Sequence, residues 1–167
     1  MATLRQCFVS YAHHDYKVCD RILVHLKAVG RALGFSIWAD HKIRAGNAWS
    51  SRLESEIRNS SIFALLVTND FLASDYIQDK EIPAIRMQRD KNNALVVPII
   101  VRESGWQYLC DKYVQAIPRG PSRKIVPCYN WPDQEKAFAV CAEEVGKAAI
   151  DWFGLKPISP FAPKVRA

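Results

Sequence analysis

The stretch Ile62-Phe-Ala-Leu-Leu-Val-Thr68 decides the fold that the sequence predicts. Its first six residues are all apolar, with no polar residue at alternate positions. A strand with one face in water alternates apolar and polar residues, whereas a strand covered on both faces is apolar throughout. The stretch therefore predicts a central strand of a parallel sheet that has helices on both of its faces.

On both sides of this strand, strand patterns alternate with helical patterns along the chain. Asp15 and Asp133 are predicted to cap two of the helices, and Gly34 is predicted to end the first one. The alternation predicts an α/β fold, in which a five-stranded parallel sheet lies between two layers of helices. The other predicted strands are 6–11, 35–38, 95–101 and 124–128, and the predicted helices are 16–33, 49–59, 74–90 and 134–152.

The length of 167 residues fits one domain, at roughly 100–200 residues per domain. From Leu155 onward the alternation stops, and prolines recur at every third position, which favours an extended chain. We therefore predict one domain over residues 1–154, followed by a tail or linker stump over residues 155–167.

The composition argues against a membrane or a nucleic-acid partner. The longest apolar stretch, residues 94–101, is interrupted by Pro98, whereas a spanning helix needs about 20 apolar residues. The N-terminus carries no signal-peptide pattern, so a cytoplasmic location is predicted. The net charge of +6 is spread along the chain, whereas nucleic-acid binders usually concentrate basic residues in one stripe.

The sequence lacks the motifs of several common chemistries. Its five cysteines include no Cys-x-x-Cys pair, so they are predicted to be buried thiols in a reducing compartment. No glycine-rich dinucleotide or phosphate loop and no G-x-S-x-G motif is present, and no residue spacing predicts a metal site. Asp70 follows a strand as in a phosphoacceptor domain, but the first strand lacks the acidic residues that would hold magnesium.

Glu81 is the most unusual residue for its position. At helical spacing it shares one face with residues that pack on the sheet, so a carboxylate lies on an apolar face near the carboxyl ends of the strands. Burial there would raise its pKa unless a partner stabilises the charge. Pro83 predicts a break close by, with a helix that restarts near Lys80 and is capped by Asp79. The alternative is an ordinary solvated or paired helical glutamate.

Four motifs, in order, resemble the Toll/interleukin-1 receptor (TIR) domain family in its bacterial form. The resemblance covers about residues 6–101 and implies a flavodoxin-like three-layer sandwich. The motifs are Phe8-Val-Ser-Tyr-Ala-His-His-Asp15; Gly34-Phe-Ser-Ile-Trp-Ala-Asp40 with Gly46 and Trp49; residues 61–68; and Phe71-Leu-Ala-Ser-Asp-Tyr76 followed by Glu81.

Many TIR domains cleave NAD+ at the bond between nicotinamide and ribose with a glutamate of the third helix, and that position is Glu81 here. NAD+ is then the substrate, and no cofactor is implied. Trp49 and Tyr76 are candidates to stack on nicotinamide or are core aromatics, and Ser74 is a helix cap or a ligand. The residues that the resemblance implies for substrate binding are Tyr11, Ala12, His13, Asp40, Arg44, Trp49, Ser74 and Tyr76.

Other TIR domains are adaptors that bind further TIR domains without catalysis, and this is the alternative function. Enzymatic members commonly assemble, so self-association that includes the loop 39–48 is expected. The resemblance also implies a fused or separate sensor domain. It implies a role in bacterial antiviral defence, or else a virulence factor that targets host signalling.

Overall fold

A computed structural model describes residues 5–39, 47–110 and 114–160, with the backbone alone for residues 47–50. Short 3-10 turns lie at His13–Asp15, Trp106–Tyr108 and Cys128–Asn130. The strands are β1 (Arg5–Ser10), β2 (Phe35–Trp38), β3 (Ile62–Val67) and β4 (Leu95–Ile100). The helices are α1 (Tyr16–Leu33), α2 (Asn47–Asn59), α3 (Asn69–Ala73), a π-helical turn (Ile77–Glu81), α4 (Ile82–Asn92) and α5 (Gln134–Phe153).

The four strands form one parallel sheet in the order β2-β1-β3-β4. All six residues of β3 are buried, as the continuous apolar run predicts. Successive side chains of a strand point to opposite faces. Accordingly Ile62, Ala64 and Leu66 pack with α1 and α5, while the residues between them pack with α2 and α4. The α/β class and the covered parallel sheet are thus confirmed.

The sheet has four strands among the described residues, not the predicted five. Ile117, rather than residues 124–128, lies beside β4, where its amide donates to the Pro98 carbonyl at 2.9 Å. Pro118 follows at once, and because proline has no amide hydrogen the ladder cannot continue. Ile125 forms an antiparallel bridge with Arg119 instead, so the predicted last strand is wrong.

Two of the three predicted helix ends are confirmed. The Asp133 carboxylate accepts a hydrogen bond from the Lys136 amide at 3.1 Å, and Gly34 ends α1 with a left-handed φ of 78°. Asp15 precedes α1, but its side chain forms no cap hydrogen bond. Its buried carboxylate instead accepts a hydrogen bond from the Thr68 hydroxyl at 2.6 Å.

The segment predicted as one helix over residues 74–90 is divided. Ser74 has an extended backbone after α3, and its hydroxyl accepts a hydrogen bond from the Ile77 amide at 3.3 Å, which confirms its capping role. The chain then passes through the π-helical turn into α4, and Asp79 caps nothing there. Pro83 is the second residue of α4, and a π-turn is a known way to accommodate such an interruption.

The last described residues, 155–160, form no helix or strand. The Ile158 amide donates to the Ala32 carbonyl at 2.7 Å, and Leu155 packs at the border of the core between the sheet and helices α1 and α5. The boundary after residue 154 stays a prediction. In the described part of the chain, no helix combines the length and the apolar character needed to cross a membrane.

Candidate functional site

The candidate site lies at the carboxyl edge of the sheet, where β1 and β3 end. Ser10 is the last residue of β1, and Glu81 is the last residue of the π-helical turn. The Ser10 hydroxyl donates a hydrogen bond to Glu81 Oε2 at 2.5 Å. Ser10 is 2% exposed and Glu81 is 6% exposed, so a buried carboxylate is held by a buried hydroxyl from another element.

Burial sets the ionisation of Glu81. Because the charged carboxylate loses its hydration, burial raises the pKa of Glu81 from 4.5 to about 7, although the Ser10 hydrogen bond acts in the opposite direction. At neutral pH the side chain therefore populates both the carboxylate and the carboxylic acid. Glu81 is buried, as its helical spacing predicts, so the solvated alternative is excluded, and its hydrogen-bond partner is Ser10.

Three of the predicted site residues lie on the same face of the sheet as Glu81. Ala12 is buried there, and Tyr76 packs at the border of the same core together with α2 and α4. The pKa of Tyr76 is raised to about 12, first by burial and then by the charges of Glu81 and Glu54, which places Tyr76 within electrostatic reach of Glu81. Ser74 is half-buried at the start of the turn that ends in Glu81.

Two other predicted residues have different surroundings. Tyr11 packs at the border of the core on the opposite face of the sheet, with α1 and α5. His13 is exposed in a 3-10 turn, and its ring lies edge-on to His14 at 6.2 Å. Asp40 and Arg44 lie outside the described residues, and the side chain of Trp49 is not described.

Ser10 is the important residue that sequence reasoning missed. The alternation in β1 contains the signal, because Phe8 and Ser10 lie two positions apart and therefore share a face. Phe8 packs with α2 and α4, so Ser10 faces the same layer as Glu81. The sequence signal that could have identified Ser10 is that it is a polar residue at the buried end of a strand.

Two further contacts shape this edge of the sheet. Thr68, just after β3, donates to the Asp15 carboxylate and accepts a hydrogen bond from the Phe71 amide at 3.1 Å. The ring of Trp38, at the end of β2, stacks on Phe8 with 4.9 Å between centroids. These contacts hold the start of the segments that follow β1 and β3. The described residues contain no group of three side chains suited to hold a metal ion.

Comparison with known proteins identifies the family. The family model of the TIR domain matches residues 7–139, which is most of the chain. The chain belongs to the TIR domain family. The matched range includes β2, β3 and β4, the last four residues of β1, and both Ser10 and Glu81.

Two known proteins are similar to this TIR domain. Over 142 residues it is 32% identical to the uncharacterized protein y4lF of Sinorhizobium fredii (strain NBRC 101917 / NGR234), covering 85% of this chain and 43% of that protein. The chain thus spans less than half the length of that relative. Its fold is similar to the crystal structure of the RPS4 and RRS1 TIR domain heterodimer, with a TM-score of 0.55, 12% identity, and coverage of 88% of this chain and 96% of that chain.

Proposed function

We propose that this TIR domain cleaves the nicotinamide–ribose bond of NAD+, giving nicotinamide and ADP-ribose or a cyclic ADP-ribose. The observation that carries the proposal is the buried Glu81 carboxyl, held by Ser10 at the carboxyl edge of the parallel sheet. Ligands of open α/β sheets bind at this edge. A carboxyl group whose pKa burial has raised is a recognised mark of functional sites.

The reaction needs only one carboxylate. When the bond between the ribose C1′ and nicotinamide breaks, its electron pair goes to the pyridinium nitrogen, and nicotinamide leaves as a neutral molecule. No general acid is therefore required, unlike in glycosidases, where a sugar oxygen must be protonated. The positive charge that develops on the ribose is stabilised by the Glu81 carboxylate, whose effect is strengthened because the side chain is buried. Water then adds to C1′ and releases a proton.

Because the carboxylate is the active form in this mechanism, the rate should depend on pH. We expect the rate of NAD+ cleavage to rise as pH increases through about 7, where Glu81 loses its proton. The measurement is nicotinamide release at NAD+ concentrations well below KM between pH 5.5 and 9, where the rate reports the pKa of the free protein. A rate that is flat over this range would exclude the titration of Glu81 as the controlling step.

The experiment that tests the function uses high protein concentration or a crowding agent, with nicotinamide and ADP-ribose separated by chromatography. Glu81→Ala should abolish nicotinamide release. Glu143→Gln, which removes an exposed carboxylate of α5, is the matched control and should keep full activity. If the unaltered protein leaves NAD+ intact under assembling conditions, the proposal is wrong.

The second candidate is a non-catalytic adaptor that acts through contacts between TIR domains. It is supported by the structural neighbour, which is a heterodimer of two TIR domains. We include self-association in the enzymatic proposal too, through a surface that contains the loop 39–48. Since the chain spans 43% of its relative, we also propose a fused or separate sensor domain. The resemblance to bacterial TIR domains is the ground on which we further propose a cytoplasmic role in antiviral defence, with a virulence factor as the alternative. Association without nicotinamide release would favour the adaptor.

A further inference from the structure

A pocket of about 220 Å³ that is lined mostly by polar residues lies at the amino edge of the sheet, at the opposite edge from Glu81. It is formed where β1 and β3 begin and where α2 and α4 end. We name it the amino-edge pocket. The polar residues that line it include Arg5, Arg58, Ser60, Ser61, Gln88 and Asn92.

The lining of the amino-edge pocket is rich in hydrogen-bond donors and carries two positive charges. Arg5 and Arg58 supply the charges, and no carboxylate is present among the lining residues. The nearby carboxylate, Glu56, accepts a hydrogen bond from Gln6 at 2.9 Å instead. Asn92 donates to Gln88 Oε1 at 2.8 Å, which leaves the NH2 group of Gln88 as a donor.

Two lining residues have polar atoms that the fold leaves without a partner. Arg5 Nε and Ser61 Oγ are buried and make no hydrogen bond within the described part of the protein. The Arg5 guanidinium is nevertheless held in place, because it stacks over the Phe153 ring at 4.2 Å from the centroid. Buried polar atoms normally find a partner, so these atoms are suited to a ligand rather than to the fold.

We infer that the amino-edge pocket binds the phosphate group of a small phosphorylated molecule. Guanidinium groups match phosphate oxygens in geometry and charge, and the Ser61 hydroxyl and the side-chain amides complete the set. The Ser60 hydroxyl is not counted, because it donates to the Glu56 carbonyl at 2.7 Å. Pockets for drug-sized ligands measure about 300–1,000 Å³, so a volume of about 220 Å³ fits a smaller ligand. The inference does not rest on the cleavage of NAD+, which we place at the other edge of the sheet.

The alternative role of these arginines is to stabilise helix ends. Arg58 lies in the last turn of α2, where a positive charge interacts favourably with the helix dipole. That role explains one charge but leaves the buried Nε of Arg5 without a partner. The two roles differ in their response to added phosphate, because a helix-end role needs no ligand.

The test is a titration of the 15N-labelled chain with inorganic phosphate, followed by amide chemical shifts. We expect shifts that saturate with a Kd of about 1 mM or below and are largest at Ser60, Ser61 and Asn92. Arg58→Gln should weaken binding about fivefold, because its side chain is exposed. Arg52→Gln, an exposed arginine of the same helix outside the pocket, is the matched control and should change nothing.

Further measurements identify the ligand and distinguish a loss of binding from a loss of folding. Ribose 5-phosphate should shift the same amides, whereas acetate at equal ionic strength should not. Arg5→Gln would remove the contact with Phe153 as well as a phosphate ligand, so its effect on binding could come from a change in the fold. Arg58→Gln, which changes an exposed side chain, is therefore the decisive variant. Equal shifts with acetate, or equal weakening by Arg52→Gln and Arg58→Gln, would overturn the inference. Glu81→Gln should bind phosphate normally, so failure here is distinguishable from failure of the proposed enzyme.

Discussion

Ser10 and Glu81 show how two side chains separated by 71 positions create one chemical group. Without Ser10, the charged form of Glu81 would lose its hydration on burial and would lack the hydrogen bond that the Ser10 hydroxyl donates to it. With Ser10, the charged form gains one hydrogen bond, which lowers the pKa against the effect of burial. The hydroxyl therefore controls how much reactive carboxylate exists at neutral pH.

Replacing Ser10 by alanine should shift the pH dependence of the proposed reaction. Without the hydroxyl, the pKa of Glu81 rises further, and we expect nicotinamide release at pH 7 to fall about fivefold and to recover at higher pH. The measurement is the rate against pH for Ser10→Ala. The control is Ser36→Ala, which removes a half-buried hydroxyl of β2 that is bonded to the Arg5 carbonyl. An unchanged pH profile would contradict the role assigned to Ser10.

Glu81→Gln should stabilise the protein in alkaline solution. The pKa of Glu81 is about 7 in the folded protein and near 4.5 when unfolded, so ionisation favours the unfolded chain. The folded protein therefore loses stability as pH rises from 4.5 through 7, and above pH 7 the loss is at most about 3 kcal/mol.

Urea unfolding of the variant and the unaltered protein at pH 5 and pH 8 checks this expectation. The free energy of unfolding should differ little at pH 5, and the variant should be more stable at pH 8. Glu143→Gln serves again as the exposed control. Equal stabilities at both pH values would show that Glu81 ionises in the folded protein as easily as in water.

At the scale of the elements, the short helix α3 is stabilised by Thr68, the residue that directly follows β3. Thr68 caps it by accepting a hydrogen bond from the Phe71 amide, and the same hydroxyl donates to the buried Asp15. Thr68→Val keeps the shape of the side chain but removes both bonds. We expect a loss of about 2 kcal/mol in the free energy of unfolding, since a cap is lost and a buried carboxylate loses its donor. Thr68→Ser should restore most of it, and a full loss in both variants would argue against the hydroxyl.

The elements also show what a sequence can and cannot predict here. The burial of β3 follows from composition alone, and the buried face of Glu81 follows from helical spacing. Pro83 predicts a break near this point, but the π-helical form of the break was not predicted, because it changes the helical spacing by a single residue. The sequence did not predict that Ile117 lies beside β4. Because Pro118 follows it, the pairing is limited to a single bridge, and no run of apolar residues marks a strand there. To predict the hydrogen bond between Ser10 and Glu81, one needs both the alternation of side chains along β1 and the knowledge of which helices pack on that face of the sheet.

At the scale of the whole molecule, the fold buries four of the five cysteine thiols. None of the five cysteines is in a disulfide, and Cys7, Cys19, Cys128 and Cys141 are buried as predicted. Burial raises the pKa of the Cys7 thiol to about 12, so almost no reactive thiolate forms at neutral pH. Only Cys110 is partly exposed.

We therefore expect a thiol reagent such as DTNB to label one cysteine of the native protein quickly and all five after denaturation. Cys110→Ser should remove the fast reaction. Fast labelling that survives this substitution would mean that one of the four buried thiols becomes accessible in the native state.

The central position of β3 has a consequence for how this molecule opens. Its neighbour β4 pairs with all six of its residues, β1 pairs with the first four, and both of its faces are covered. Its amide hydrogens can reach solvent deuterium only when the entire domain comes apart. Hydrogen exchange should therefore report the global free energy of unfolding at residues 62–67 and smaller values at the edge strand β2.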